Sequence, residues 1–302
     1  MLKNTLILDT EVYWNFFYLG IYRVEDGKRV GFEFSPRSNF DRSKVRGILR
    51  RNLTVGFNSI PYDLPIIYLA LSGATNEAIK KASDRIIKGG IKHWQIEDKL
   101  GIYVPRDIDH IDLFETNPSV KRGLKTINAS MHHKRLQELP YHESKHLTFE
   151  EMDRTIEYCQ FGDIDGTKRL FDIMQEPIML REKLADRYDV ADLRSKSDAQ
   201  VGETIIRREV ERQLGRRVQK ADVMPGDTFR YKVPKWLKFK TPYMQQVLEE
   251  IAQTDFEIGK SGKVEFPKAF SKFNIQFDGM GYTLGIGGLH STEKNRSIFS
   301  DR

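Results

Sequence analysis

The chain has 302 residues, 39% of them hydrophobic and 30% charged, with a net charge of +6, a composition suited to a water-soluble protein larger than one average domain. No apolar run approaches the about 18 residues of a membrane helix, and Met1-Leu2-Lys3-Asn4 runs into a strand without a signal-peptide pattern, so no membrane contact and a cytoplasmic location are expected. The single cysteine, Cys159, excludes an intrachain disulfide and a cysteine-based zinc cluster, while the basic excess suits either a nucleic-acid partner or a solvated lysine-rich surface.

Residues 5–12 read as an apolar strand carrying Asp9 and Glu11 at its end. Side chains two apart share a strand face, so these carboxylates aim at one point. They repel, and a cation belongs between them. A hard divalent ion with oxygen ligands fits that place. Residues 16–24 and Arg29–Phe34 alternate like half-buried strands across the turn Glu25-Asp26-Gly27-Lys28. Three antiparallel strands in sequence order are therefore expected. Residues 40–51 have helical spacing, with Val45, Ile48 and Leu49 on one side. A short strand is expected at 53–57, helices at 62–71 and 75–88, a strand at 108–113 and a helix at 119–129. Thr148 and Glu151 form a capping-box pattern. The helix it opens should run to Pro177, with a break at Gly162.

The second part, 178–302, reads as a smaller α+β region. Asp198–Leu214 is expected as one amphipathic helix and 243–251 as another. Strands are expected at 263–266 and 273–277, and a sharp bend over the glycine-rich stretch 279–288. No internal repeat or low-complexity tract is present.

Two further segments carry chemistry. In Gly56-Phe57-Asn58-Ser59-Ile60-Pro61-Tyr62-Asp63, a strand ends at Asn58 and Asp63 falls in the first turn of the next helix. A carboxylate there is also favoured by the helix dipole alone. In Tyr158-Cys159-Gln160-Phe161-Gly162-Asp163-Ile164-Asp165, a tyrosine precedes two aspartates on a helix.

The combination resembles the DEDD superfamily of 3′→5′ exonucleases, with a ribonuclease-H-like fold, over roughly residues 5–175. Asp9 and Glu11 match the first motif, Asn58 and Asp63 the second, and Asp163 the third. The resemblance implies metal ligation by Asp9, Glu11, Asp63 and Asp163, two magnesium ions with manganese as a substitute, and a catalytic role for Tyr158. Thr10, Phe57, Asn58 and Tyr62 are the matching candidates for substrate contact. Phosphodiester hydrolysis puts charge on both attacking and leaving oxygens, and two metal ions about 3.5–4 Å apart can stabilise both. Tyr158 and Asp163 are five apart, whereas the tyrosine subclass uses four. Five residues rotate a regular helix by about 140° from alignment. A bulge near Gly162 restores the register; without it, Tyr158 is a core residue. Asp165 competes with Asp163 for the last ligand position.

Asp112, ending the strand at 108–113, reads as support for the site. Lys125 is a solvated lysine or a phosphate contact. His132 and His133 read as loop residues, since no acid or cysteine accompanies them at metal spacing. Phe16, Phe57, Ile60 and Tyr62 are core residues or stack on terminal bases. The helix bearing Arg207, Arg208 and Arg212 either grips a nucleic-acid backbone or is a solvated, ion-paired face. Ser195-Lys196-Ser197-Asp198 and the glycine tract around Tyr282 resemble the connector after the exonuclease in phage-type, family-B-like DNA polymerases. No polymerase metal motif follows. The expected whole is thus an exonuclease domain (1–177) and a DNA-guiding connector (178–302), acting on single-stranded DNA 3′ ends in proofreading beside a polymerase domain or replication proteins. The alternatives are a nucleic-acid- or polymerase-binding module with a weakened site, and an RNA-processing nuclease of the same fold.

Overall fold

The computed structural model describes residues 4–116, 122–219, 223–260, 262–272, 275–277, 280–285 and 288–291. The chain divides into two compact units, Met1–Val218 and Gln219–Arg302.

The first unit is built on a five-stranded mixed sheet in the order β3-β2-β1-β4-β5. β1 (Thr5–Tyr13), β2 (Phe16–Arg23) and β3 (Arg29–Phe34) form the antiparallel meander expected from their alternation. Gly27 takes a positive φ of 72° in the β2–β3 turn, a conformation glycine adopts without steric cost. β4 (Leu53–Gly56) then pairs parallel with β1, and β5 (His110–Asp112) parallel with β4. Parallel pairs need a crossover. α1 (Arg42–Arg51) precedes β4, and α2 (Asp63–Ser72), α3 (Asn76–Ile87) and α4 (Ile96–Leu100) lie between β4 and β5.

β1 is the central strand and is buried on both faces, which explains its nearly continuous apolar run. Leu6, Leu8 and Val12 pack with Val45, Leu49, Ile66 and Ile79 from α1–α3. Ile7 and Tyr13 face the opposite core. There they meet residues of α7 (Phe149–Tyr158), α8 (Ile164–Ile173) and α9 (Gln175–Tyr188), among them Met152, Phe171 and Ile178. The short helices α5 (Leu113–Thr116) and α6 (Leu124–Ser130) follow β5. Residues 119–121 of the helix expected at 119–129 lie outside the described residues.

The helix expected from Thr148 to Pro177 is three helices. Thr148 caps α7 with Glu151 as its capping-box partner. Between α7 and α8 one turn, Cys159–Asp163, widens to π geometry. Met174 ends α8, and Pro177 sits in the first turn of α9, where an N–H has no intrahelical partner to lose. Proline therefore opens a helix here rather than closing one. α9 and α10 (Asp198–Leu214) belong to the first unit, so the boundary expected at 177/178 falls inside α9. α4 lies in a stretch where the sequence pattern indicated no helix.

The second unit pairs β6 (Thr228–Arg230) with β7 (Asp255–Glu257) and orders β8 (Ile275–Phe277), β9 (Met280–Gly285) and β10 (Gly288–Ser291) as an antiparallel sheet. α11 (Pro242–Gln253) contributes Val247 to a small core with Phe256, Phe270 and Ile275. The strand expected at 263–266 is reduced to one bridge, Val264 to Ile258. Residues 273 and 274 of the next expected strand, and 279, 286 and 287 of the glycine tract, lie outside the described residues. Among the described residues no helix is long and apolar enough to cross a membrane.

Candidate metal centre

Strand parity sorts the end of β1. Asp9 and Glu11 point with Ile7 and Tyr13 toward α7 and α8, while Thr10 points toward α2. The Thr10 hydroxyl donates to Asp63 Oδ1 at 2.5 Å, and the Thr10 backbone N–H also donates to that carboxylate. Asp63 is the first residue of α2 and is buried. Thr10 thus positions a carboxylate, and its buried hydroxyl is engaged inside the protein.

The loop that delivers Asp63 is pinned by Asp112. Its carboxylate accepts backbone N–H groups from Asn58 (2.8 Å), Ile60 (2.9 Å) and Phe114 (3.0 Å), and from Ser59. Asn58 takes a left-handed φ of 57° to make this turn, a conformation asparagine tolerates better than most residues. Below the loop, buried His110 bridges the hydroxyls of Thr54 (2.8 Å) and Ser59 (2.7 Å), and burial lowers its pKa to about 3. Asp112 is therefore a supporting residue, as the sequence pattern suggested.

Asp163 arrives from the π turn. Widening one turn absorbs the extra residue, and it brings the Tyr158 hydroxyl close enough to the Asp163 carboxylate, across the five-residue spacing, for each to shift the other's titration. β2 permits the close approach through Gly20, which pairs with Asp9: a Cβ there would lie 2.6 Å from Ile164 Cδ1 and 3.0 Å from Cys159 Sγ. Asp165 points elsewhere and pairs with Arg29 at 2.5 Å. Of the two competing aspartates, Asp163 is the one brought to the cluster.

The carboxylates feel one another. Burial raises the Asp9 carboxyl well above its ordinary range, and the charges of Asp63, Asp163 and Glu11 raise it further. Burial, Asp163 and Asp63 raise Glu11 in the same way. Asp63 is pushed up to about 7, chiefly by burial. Asp163 is raised by burial against the opposing hydrogen bond from Tyr158. Lys125 is the cation that offsets this field, favouring the charged forms of Glu11 and Asp163. Its Nζ lies 5.7 Å from the centre of the Tyr158 ring and 2.8 Å from Glu138 Oε2.

Cys159 was not legible as part of this site. Its Sγ lies 3.5 Å from Asp9 Oδ2, and one ligand atom each from Asp9, Glu11 and Cys159 lies within 4.8 Å of the others. Burial and the surrounding carboxylates raise the thiol well above its ordinary pKa. It stays protonated and donates to Asp9, so the available ligands are oxygens. A clustered, buried oxygen donor set with little cationic compensation fits a hard divalent cation.

The remaining candidates are placed as follows. Phe57 is half-buried and packs edge-to-face on Phe114 at 5.4 Å. Asn58 is exposed, and its backbone N–H is held by Asp112. Tyr62 directs its hydroxyl to Ser83 of α3 at 2.8 Å. Phe16 is fully buried core. His132 and His133 follow α6 in a loop. The arginines of α10 are ion-paired: Arg207 with Glu203, Arg208 with Asp189 at 3.0 Å, and Arg212 with Glu209 at 2.6 Å.

Comparison with protein-family models, with curated proteins and with solved structures finds no match for this chain.

Proposed function

We propose that the chain is a metal-dependent 3′→5′ exonuclease of ribonuclease-H-like fold that acts on single-stranded or frayed DNA ends and serves as the proofreading part of a phage-type polymerase. The observation that carries this reading is the convergence of Asp9, Glu11, Asp63 and Asp163 from β1, the start of α2 and the π turn, with Asp63 and Asp163 both near enough to raise the carboxyls of Asp9 and Glu11. The strand order, an antiparallel meander followed by parallel strands, agrees with such a fold.

Asp9, Glu11, Asp63 and Asp163 would hold two magnesium ions, with manganese as a substitute. When bound, such ions supply the Lewis acidity that phosphodiester hydrolysis needs. The chain's own residues do the rest. Thr10 and the Asp112-bound loop fix Asp63. Tyr158, its hydroxyl pKa raised by burial and by Asp163, keeps its proton and orients Asp163 by donating to it. Lys125 offers a positive charge where an anionic backbone must approach a negative cluster. Cys159 holds its proton toward Asp9. The five-residue Tyr158–Asp163 spacing is the one feature favouring a binding module with a weakened site, and the π turn removes that support.

The test uses 5′-labelled single-stranded DNA and RNA with magnesium or manganese. Stepwise shortening of DNA from its 3′ end is expected, abolished by EDTA and by Asp9→Ala. Binding without shortening in either metal would overturn the reading, and preferential shortening of RNA would reassign the substrate.

A further inference from the structure

The second unit carries a cationic and aromatic strip that the carboxylate site does not use. Its sequence is Phe229-Arg230-Tyr231-Lys232-Val233-Pro234-Lys235-Trp236-Leu237-Lys238-Phe239-Lys240, and no Asp or Glu occurs from Thr228 to Leu248. Arg230 is paired with Asp255 at 2.6 Å. Lys232, Lys235, Lys238 and Lys240 are exposed. None of the four is among the ion pairs found between the described residues, in contrast to the neutralised arginines of α10.

Large rings are exposed along the same strip. Trp236 is 80% exposed, and Phe229, Tyr231 and Phe239 are each at least 40% exposed. Phe229, Tyr231, Leu237 and Phe239 line one side of an apolar cavity of about 580 Å³. Water-exposed rings of this size are costly to leave uncovered in a small unit.

We infer that residues 228–243 form a binding platform for a single-stranded polynucleotide, with the lysines on phosphates and the rings of Trp236, Tyr231 and Phe239 on bases. Unpaired lysines and open π faces together are the chemistry that single strands require: the cations track the backbone and the rings stack on bases irrespective of sequence. An acidic peptide would satisfy the lysines but presents no flat faces to the rings. A membrane surface is ordinarily met by an amphipathic helix, whereas residues 231–240 are irregular, with a turn closed by Leu237 N–H to the Pro234 carbonyl at 3.0 Å. The inference stands apart from the nuclease reading, because it concerns other residues in the other unit.

The experiment is fluorescence anisotropy of labelled oligo(dT), roughly 20 nucleotides long to exceed a typical single-strand site, with the full chain in EDTA so that cleavage plays no part. Lys235→Glu with Lys238→Glu should weaken binding at least about tenfold and flatten the dependence of log K on log salt by about 0.7 for each lysine. Trp236→Ala should weaken binding about fivefold to a hundredfold through lost stacking, with the salt slope unchanged. All these side chains are exposed, so the variants should fold. Unaltered affinity in either variant overturns the inference. So does lysine-dependent binding to anionic vesicles or to polyglutamate without binding to oligo(dT).

Discussion

Asp63 holds its proton more tightly in the fold than its ordinary value of 3.8 allows, because burial outweighs the hydrogen bonds from Thr10 and lifts its carboxyl to about 7. The folded state therefore gains from this group below about pH 4, and that contribution is lost as pH rises toward 7. His110 works the other way: with its pKa lowered to about 3, its contribution is present above about 6.5 and lost as pH falls. Asp63→Asn isolates the first effect and keeps an acceptor for Thr10. In EDTA the variant should melt above the parent at pH 8, with the gap closing toward pH 4. Magnesium should raise the parent's melting temperature at pH 8 and the variant's much less, since ligands must be deprotonated to bind metal. A melting gap independent of pH would refute the assignment. Tyr158→Phe removes the donor to Asp163 and nothing from the core. Cleavage should fall about tenfold to a hundredfold, the range for a partner that orients a metal ligand, with single-strand affinity in EDTA unchanged.

The π turn is the element on which this site depends. It lets Tyr158, Cys159 and Asp163 face β1 while Ile164, Leu170 and Phe171 of α8 still pack in the core. Deleting Gly162 removes the residue that the widened turn absorbs, so a regular turn can join α7 to α8 in the same register, with Tyr158 and Asp163 four positions apart and about 40° from alignment. Cleavage by the deletion variant should therefore stay within about tenfold of the parent, whereas inserting a second residue beside Gly162, which the turn does not absorb, would rotate α8 by about 100° and should abolish cleavage. Loss of cleavage in the deletion variant to the level of Asp9→Ala would show that the turn does more than absorb one residue. The sheet was legible because alternation, a Gly-containing turn and an apolar central strand are local signals. The carboxylate order along the chain was legible too, and the odd Tyr158–Asp163 spacing pointed to a bulge. The role of Cys159 was not, since a thiol following a tyrosine carries no sign of the aspartate it will meet 150 positions away. The hydroxyls of Thr10 and Tyr62 likewise find partners, Asp63 and Ser83, that only tertiary packing supplies. The second unit was read least well, because its short strands are fixed by contacts such as Phe256 with Phe270 rather than by local pattern.

At the scale of the molecule, the boundary at Val218 ties the site to residues well beyond the exonuclease resemblance. Ile178 of α9 is fully buried in the core of α7 and α8. Arg181 is buried too, donating to the carbonyls of Pro177 and Lys196 at 3.0 Å each and to Asp198 at 2.5 Å. That anchors the stretch before α10, where Ser195 Oγ accepts the Asp112 backbone N–H at 2.9 Å and Arg194 pairs with Asp109 at 2.6 Å. Asp112 in turn holds the loop that presents Asp63. Ending the chain at residue 177 would expose the surface that Ile178 covers, worth about 1.5–3 kcal/mol for such a side chain. It would also take away the partner of the Asp112 N–H, at about 1–3 kcal/mol if that group stayed buried. These losses are a large part of the stability of an ordinary domain. A fragment of residues 1–218 should therefore unfold cooperatively and cleave labelled single strands, whereas 1–177 should melt at least several degrees lower or fail to fold, and cleave poorly. Equal melting temperatures and cleavage rates for the two fragments would show that α9, Ser195 and α10 do not support the site, and that the path from Ser195 through Asp112 to Asp63 carries no weight.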